Sequence, residues 1–446
     1  MNKILLSFIA VSVLSGCVLF GAKQPAPDAV NKIQDKQYSP EELNEDMTRF
    51  RKILEQKAAG LYTDHTELSR RLDEAEAALT EPMTELEFYR LLTPAVAALR
   101  CGHSFLSVSA TMETRLRRKV LFFPLTVRFI DSRIYVIDDP RDTGTAPGSE
   151  ILSINGNPAG EIIRDITARL STDGDDTGRL RYDAERWFAA FYYSFLDTSE
   201  SFDIIFRSPD SGVPFRKTVR GVQDSSLAKT AQGVVFDTVN APYSHRFTAG
   251  HARLTIPCFI YSDFGAYKRF LEDFFAELSR RGIDTLIIDL RGNYGGTPKP
   301  TVELFKFLID KPLPFFGEDN VFYLARYKRP INPAENHFQG NLFILMDEAG
   351  FSMNSFLLSL LKYHHIGTLV GAPSSGGWKC SDGARNAVLP NTGLRLRYST
   401  AVFSTAVEGQ EPGRGIEPDL MVSWSLKNYI DHDDPVWEAA LKEAFP

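Results

Sequence analysis

The strongest constraint on the fold is an alternation of apolar strand-like runs and amphipathic helical segments in the C-terminal half of the chain. Strands separated by helices usually pair in parallel, so residues 234–446 are predicted to form an α/β unit with a mainly parallel sheet. Functional groups of such units collect at the carboxyl ends of the strands. The predicted strands are 252–256, 285–290, 342–346 and 368–371, and the predicted helices are 266–279, 302–308 and 352–363.

Residues 39–118 are predicted to form a helical unit. Capping boxes at 39–42 and 84–87 supply hydroxyl and carboxylate oxygens for the free amides at a helix start, and Pro40 suits the first helical position. Between the two boxes, apolar residues with helical spacing run over 68–79. The chain therefore begins its folded part with helices and is α+β overall.

Residues 119–222 are rich in strand signals instead. β-branched and aromatic runs are followed by the turn Asn155-Gly156, and a hairpin is predicted over 202–219. This unit resembles a PDZ domain, in which an extended peptide binds by adding a strand, with an insertion at 171–200. A β-sandwich fragment without a groove remains the alternative.

The first 17 residues have the composition of an export signal. Lys3 precedes an apolar stretch at 4–13 that is too short to span a membrane, and Leu-Ser-Gly-Cys follows. This ending resembles the lipobox of bacterial lipoproteins, which implies lipid attachment at Cys17, a tether at 18–38 and anchoring in the cell envelope. Since Val18 is not the aspartate associated with inner-membrane retention, the outer membrane facing the periplasm is favoured. An ordinary signal peptide with an incidental cysteine is the alternative.

Charge and cysteine content disfavour several classes of function. The formal net charge of -7, without a basic stripe, disfavours nucleic acid as a partner. Apart from Cys17, the cysteines are Cys101, Cys258 and Cys380, whose wide spacing forms neither a disulfide framework nor a metal-ligand motif. We therefore predict no metal and no cofactor, and we expect these three cysteines to be structural.

Two predicted strand ends carry residues suited to catalysis. One runs into Asp-Leu-Arg-Gly-Asn-Tyr-Gly-Gly at 289–296, where glycines let backbone N–H groups face a cavity. The other is followed by Ser352 at a helix start, where the first amides and the helix dipole can stabilise an oxyanion. This is the layout of a nucleophile elbow, although a plain tight turn and a helix-capping serine would show the same pattern.

His103 supplies the base that such a serine needs. A serine hydroxyl is a poor nucleophile until a base accepts its proton, and histidine titrates in the right range. Gly102-His103-Ser104, the segment 289–296, Ser352 and the glycines of 370–376 together resemble the tail-specific, C-terminal-processing and tricorn-core family of serine peptidases. The resemblance covers residues 40–425 in order and implies a ClpP/crotonase-like catalytic domain.

The resemblance also implies roles for single residues. Ser352 would be the nucleophile, His103 the general base and Glu411 the acid that supports it, with the backbone amides of Gly296 and Met353 as the oxyanion hole.

The chain departs from the family pattern at three places. Cys101 stands where the family usually has aspartate, and residues 353–355 replace the usual small residues and glutamate. A lysine base is disfavoured because Gly377 occupies the expected position, with Lys379 two residues beyond it.

The predicted function is hydrolysis of peptide bonds by an exported, lipid-anchored serine endopeptidase. Its substrate would be a polypeptide, with the C-terminal tail as one candidate region, and its membrane contact would be the lipid. A catalytically inactive peptide-binding lipoprotein with a peptidase fold is the main alternative, because of Cys101 and the loosely placed acid. An α/β-hydrolase esterase is disfavoured, since no Gly-x-Ser-x-Gly surrounds Ser352 and the order of the catalytic residues differs.

Overall fold

A computed structural model describes residues 36–228, 241–318 and 324–445. The predicted export signal, the predicted lipid attachment at Cys17 and nearly all of the predicted tether lie outside these residues, as do residues 234–240 of the predicted α/β unit. Within the described ranges, no helix combines the length and the apolar character needed to cross a bilayer.

The first unit is helical, as predicted, and both capping boxes form. The Ser39 hydroxyl accepts from the Glu42 amide while the Glu42 carboxylate accepts from the Ser39 amide, and Thr84 and Glu87 repeat the arrangement. These bonds satisfy amides that a helix start leaves free. The elements are β1 (Gln37–Tyr38), α1 (Pro40–Gln56), α2 (His65–Ala77), β2 (Met83–Thr84), α3 (Glu85–Ala97), β3 (Phe105–Ser107) and α4 (Ala110–Lys119).

An antiparallel sheet with helices forms the second unit. Its strand order is β4-β5-β6-β8-β9, with β7 paired to β6. The first strand begins at Thr126, and Phe122 before it forms an isolated bridge with Val222. The elements are β4 (Thr126–Ile130), β5 (Arg133–Asp138), β6 (Glu150–Ile154), β7 (Asn157–Pro158), α5 (Ala159–Thr167), α6 (Thr177–Arg186), α7 (Phe188–Phe195), β8 (Ser201–Arg207) and β9 (Pro214–Arg220). The predicted insertion holds α6 and α7, and the resemblance to a PDZ domain stays a prediction.

A mixed sheet organises the C-terminal half, in the order β10-β11-β12-β13-β14-β19. All pairs from β11 onward are parallel, while β10 runs antiparallel on the edge. The predicted α/β unit is thus confirmed. Its elements are β10 (Ser244–Phe247), β11 (Ala252–Thr255), α8 (Phe264–Arg281), β12 (Thr285–Asp289), α9 (Pro298–Lys306), α10 (Ala325–Lys328), β13 (Asn341–Met346), α11 (Met353–Tyr363), β14 (Thr368–Gly371), β15 (Lys379–Asp382), β16 (Arg385–Val388), β17 (Arg395–Tyr398), β18 (Ala401–Ser404), β19 (Leu420–Met421), α12 (Leu426–Asp431) and α13 (Pro435–Ala444).

A small sheet joins the two ends of the chain. Strand β3 of the first unit pairs antiparallel with β17, with Leu106 opposite Leu396, and β17 pairs with β16. One hydrophobic core accordingly contains residues of the N-terminal helices together with Leu394, Leu396 and Tyr398. This pairing carries the turn before β3, which holds His103, onto the C-terminal half.

Candidate active site

Ser352 has the strained backbone of a nucleophile elbow. Its φ of 54° and ψ of -124° are unusual for a residue with a Cβ and cost about 1–3 kcal/mol, which the surrounding fold must supply. The side chain makes no capping hydrogen bond to α11, so the alternative of a simple helix cap is wrong. Instead, Ser352 Oγ lies 3.0 Å from Nε2 of His103, within hydrogen-bond distance.

His103 is held as a neutral base. Its side chain is buried, and its ring lies 4.5 Å from the ring of Phe351, centroid to centroid. Burial lowers the pKa of His103 to about 4, because the imidazolium loses hydration, while the nearby charge of Asp382 opposes this shift. A neutral imidazole can accept a proton from the serine, so the arrangement suits general-base chemistry.

The glycine-rich turn packs directly against the serine. A Cβ on Gly295 would lie 2.4 Å from the carbonyl oxygen of Phe351, 2.7 Å from the amide nitrogen of Met353 and 2.9 Å from Cβ of Ser352. With a φ of +93°, the position also requires a conformation that glycine adopts at low cost. Glycine is therefore required here by space and by backbone geometry together.

The two predicted oxyanion donors differ in what the structure shows of them. Met353 is the first residue of α11, and the first amides of a helix have no acceptor within it. At the other position, the bonds that tie the turn to Phe259 use the carbonyl of Gly295 and the N–H of Thr297, and not the N–H of Gly296. These bonds use neither the amide of Met353 nor that of Gly296. The glycine that contacts the serine is Gly295.

Residues 253–422, which include the glycine-rich turn and Ser352, match the sequence model of Peptidase family S41. This part of the chain belongs to peptidase family S41. The match supports a serine peptidase, and the reaction class of that family is hydrolysis of peptide bonds.

The solved structures of CPAF show the same fold. Mature CPAF superposes with a TM-score of 0.67 at 15% identity, over 91% of this chain and 96% of that chain. Mature CPAF complexed with lactacystin gives 0.65 at 15% identity, over 91% and 98%. The photosystem II D1 C-terminal processing protease gives 0.44 at 14% identity, over 86% and 93%. A search among curated proteins gives no significant match.

Charged residues of the glycine-rich turn at 289–296 hold the end of the sheet together. The Arg291 guanidinium donates to Asp289 at 2.7 and 2.9 Å and to Asp434 at 2.7 and 2.8 Å, and Arg253 donates to Asp289 at 2.6 Å. Bidentate pairs of this kind fix orientation as well as charge. Asp289 and Arg291 thus connect the turn to the start of α13.

Two asparagines shape the same turn. The Asn293 side chain donates to the carbonyl of Ile256 at 2.9 Å and accepts from the Gly295 amide at 2.7 Å. Asn354, at one of the positions that depart from the family pattern, donates to the carbonyl of Asn293 at 2.9 Å. This departure therefore adds a buried bond between the helix of Ser352 and the turn opposite it.

Glu411 does not contact His103 in this structure. Its side chain is 66% exposed and its carboxylate lies 3.4 Å from the Arg414 guanidinium. The expectation that Glu411 supports the imidazole therefore needs correction, because an exposed, solvated carboxylate on a surface ion pair cannot hold the tautomer of a buried ring.

Sequence reasoning missed the part that the 171–200 insertion plays. Asp173 accepts a hydrogen bond from the Gly102 amide at 2.8 Å, and the Arg179 guanidinium carbon lies 3.9 Å from the centroid of the Phe351 ring. Both side chains are buried beside His103. No local motif marks them, because they lie among many other charged residues in the first half of the insertion.

Proposed function

We propose that the chain is an exported, lipid-anchored serine endopeptidase in which Ser352 is the nucleophile and His103 is its general base. The observation that carries the proposal is the 3.0 Å distance between Ser352 Oγ and His103 Nε2, which closes across 249 positions of sequence. A general base must lie within about 2.6–3.2 Å of the oxygen whose proton it takes.

The proposed reaction is acyl transfer in two steps. Ser352 Oγ attacks the carbonyl carbon of the scissile peptide while its proton passes to His103 Nε2. The tetrahedral intermediate then collapses, the C–N bond breaks, and the imidazolium returns the proton to the leaving amine. A water molecule, deprotonated by the same imidazole, hydrolyses the acyl-enzyme and releases the serine.

The strained backbone of Ser352 supports this mechanism. Ser352 Oγ lies beside His103, and the amide of Met353 is at the start of α11, where a helix leaves its first amides without acceptors. With the amide of Gly296 as second donor, the site would bind a developing oxyanion. Loss of one such donor typically lowers the rate by about 10²- to 10³-fold.

Location and substrate follow from the sequence and the family. The lipobox-like ending supports acylation of Cys17, and Val18 supports retention at the outer membrane, facing the periplasm. Two or more acyl chains anchor a protein stably. A polypeptide is the substrate class of the peptidase family, and the extracytoplasmic location would restrict it to proteins of the cell envelope.

Covalent labelling by a fluorophosphonate probe tests the chemistry without a known substrate. Wild-type protein should label, Ser352→Ala should not, and His103→Ala should label far more slowly. Ser359→Ala is the matched control, because its hydroxyl is buried in the same helix and donates to the Phe356 carbonyl at 2.8 Å. It should label like wild type. A folded wild-type protein that does not label would instead favour the inactive, peptide-binding alternative.

A further inference from the structure

Two complementary polar atoms next to the catalytic pair lack partners. Nδ1 of His103 and Oδ2 of Asp173 are both buried, and neither makes a hydrogen bond within the described part of the chain. A ring nitrogen of His103 and a carboxylate oxygen of Asp173 lie within 4.8 Å of each other. One atom can donate and the other can accept, and an unsatisfied buried group costs about 1–3 kcal/mol.

The tautomer of His103 decides which nitrogen needs a partner. For Nε2 to accept the proton of Ser352, the neutral ring must carry its own proton on Nδ1. The carbonyl of Ser381 faces the ring and weakly favours its protonated form. It does not provide a hydrogen bond of good geometry to Nδ1.

Backbone bonds hold Asp173 beside the histidine turn. Its Oδ1 accepts from the amide of Gly102, the residue before His103, at 2.8 Å, and the Gly174 amide donates to the Arg100 carbonyl at 3.2 Å. The 173–174 segment is therefore tied at two points to the chain that leads into His103. This leaves Oδ2 as the free oxygen.

We infer that Asp173 is the positioning carboxylate of the Ser352–His103 pair: its Oδ2 accepts the Nδ1–H of His103 and stabilises the imidazolium that forms when the serine is deprotonated. The inference rests on the proposed function. Catalytic hydrogen bonds are often long in the free enzyme and shorten when the substrate binds, so a small movement suffices. The acid would come from the insertion, and not from the C-terminal segment of Glu411.

The groups around Asp173 act on its ionisation in opposite directions. Burial raises the pKa of Asp173 to about 7, while the Gly102 amide and the Arg179 guanidinium oppose this shift, and Asp382 and Asp176 add to it. A cation formed on the neighbouring imidazole favours the ionised carboxylate. The same pocket contains the buried thiols of Cys101 and Cys380, and burial raises the pKa of each.

Asp382 is the competing carboxylate, and its geometry is less suitable. Its Oδ2 lies 3.8 Å from Nε2 of His103, the nitrogen that also faces Ser352, and its Oδ1 lies 3.3 Å from the Arg397 guanidinium. An acceptor on Nε2 would favour the tautomer that cannot take the serine proton. Asp382 can raise the basicity of the ring without positioning it.

The second-order rate of fluorophosphonate labelling, measured across pH, tests the inference. Asp173→Asn should reduce the labelling rate by about 10²- to 10⁴-fold, as removal of a triad acid does. The change in labelling rate with pH that comes from ionisation of Asp173 should also disappear. Asp176→Asn is the matched control, because this half-buried carboxylate of the same segment accepts from the amides that start α6, at 2.8 and 3.2 Å. It should label at nearly the wild-type rate.

Each other result has a definite meaning. A wild-type rate and pH profile for Asp173→Asn would overturn the inference, as would a large loss confined to Asp382→Asn. An unlabelled wild-type protein would overturn the proposed function itself. Should Asp173→Asn fail to fold, the nitrogen-15 NMR spectrum of wild-type histidines decides: a hydrogen-bonded proton on Nδ1 of His103, assigned by its loss in His103→Asn, supports the inference, and a proton on Nε2 overturns it.

Discussion

The hydroxyl of Tyr294 donates to Oδ1 of Asp183 over 2.5 Å, and both groups are buried. Tyr294 belongs to the glycine-rich turn of the site, whereas Asp183 belongs to α6 in the insertion. Asp183 also binds the Arg179 guanidinium at 3.2 Å. The insertion and the turn that faces Ser352 are thus joined by hydrogen bonds. A substitution in one should therefore change the geometry of the other.

Tyr294→Phe should lower both stability and labelling rate. The substitution leaves the Asp183 carboxylate buried without this donor, which should cost about 1–3 kcal/mol in the free energy of unfolding, measured with urea. Tyr182→Phe is the control, since that hydroxyl accepts from the Arg186 guanidinium at 3.2 Å. Equal effects of the two substitutions would contradict the coupling.

Gly295→Ala should abolish fluorophosphonate labelling. Its Cβ would overlap backbone atoms on both sides of Ser352, so the serine or the turn must move, and a misplacement of about 1 Å can cost 10²-fold in rate. Gly282→Ala controls for the backbone conformation, because it also has a positive φ, of +62°, but no atom within 4 Å of the added Cβ. It should lose about 1–2 kcal/mol of stability and keep its labelling rate.

Glu85→Gln should become relatively more stable as pH rises. Glu85 is buried, accepting from the amide and hydroxyl of Ser109 at 2.6 and 2.8 Å, and burial raises its pKa to about 7. The folded protein therefore keeps the Glu85 carboxyl protonated to a higher pH than the unfolded chain does. As the pH rises from the pKa of Glu85 in the unfolded chain to its pKa in the folded protein, the wild type loses stability. Urea denaturation at about pH 5 and pH 8 should show a gain of about 1–3 kcal/mol for the variant relative to wild type. If the difference in free energy of unfolding between the variant and the wild type did not change with pH, the raised pKa of Glu85 would be contradicted.

Cys17→Ser should release the protein from the membrane fraction. The proposed acyl chains attach to the thiol of Cys17, and a serine hydroxyl does not replace it in this modification. Wild-type protein should partition into detergent and sediment with outer membranes, whereas the variant should not. Cys258→Ser is the control, because that thiol is buried in the fold. Membrane association that survives Cys17→Ser would contradict the anchor.

Local patterns predicted the regular elements well. The capping boxes of α1 and α3 involve residues only three positions apart, so their chemistry is complete within a short window of sequence. The parallel strands β12 and β13 have continuous apolar runs at 286–288 and 342–346 because both faces of the sheet are buried there, and this too is a local signal. Strand β17 was not predicted, because Arg395 and Arg397 are charged residues that are unusual in a buried strand.

The sequence alone determined that a serine would stand at a helix start after a parallel strand, that glycines would face it, and that His103 was the candidate base. These features depend on residue type and short spacing. Only the tertiary structure decided that the Ser352 hydroxyl contacts His103 and does not cap its helix. It also decided that Glu411 is exposed to solvent and that a carboxylate from the insertion lies beside the imidazole. The reason is that such contacts join segments far apart in the chain, and packing of the units, which no local pattern encodes, brings them together.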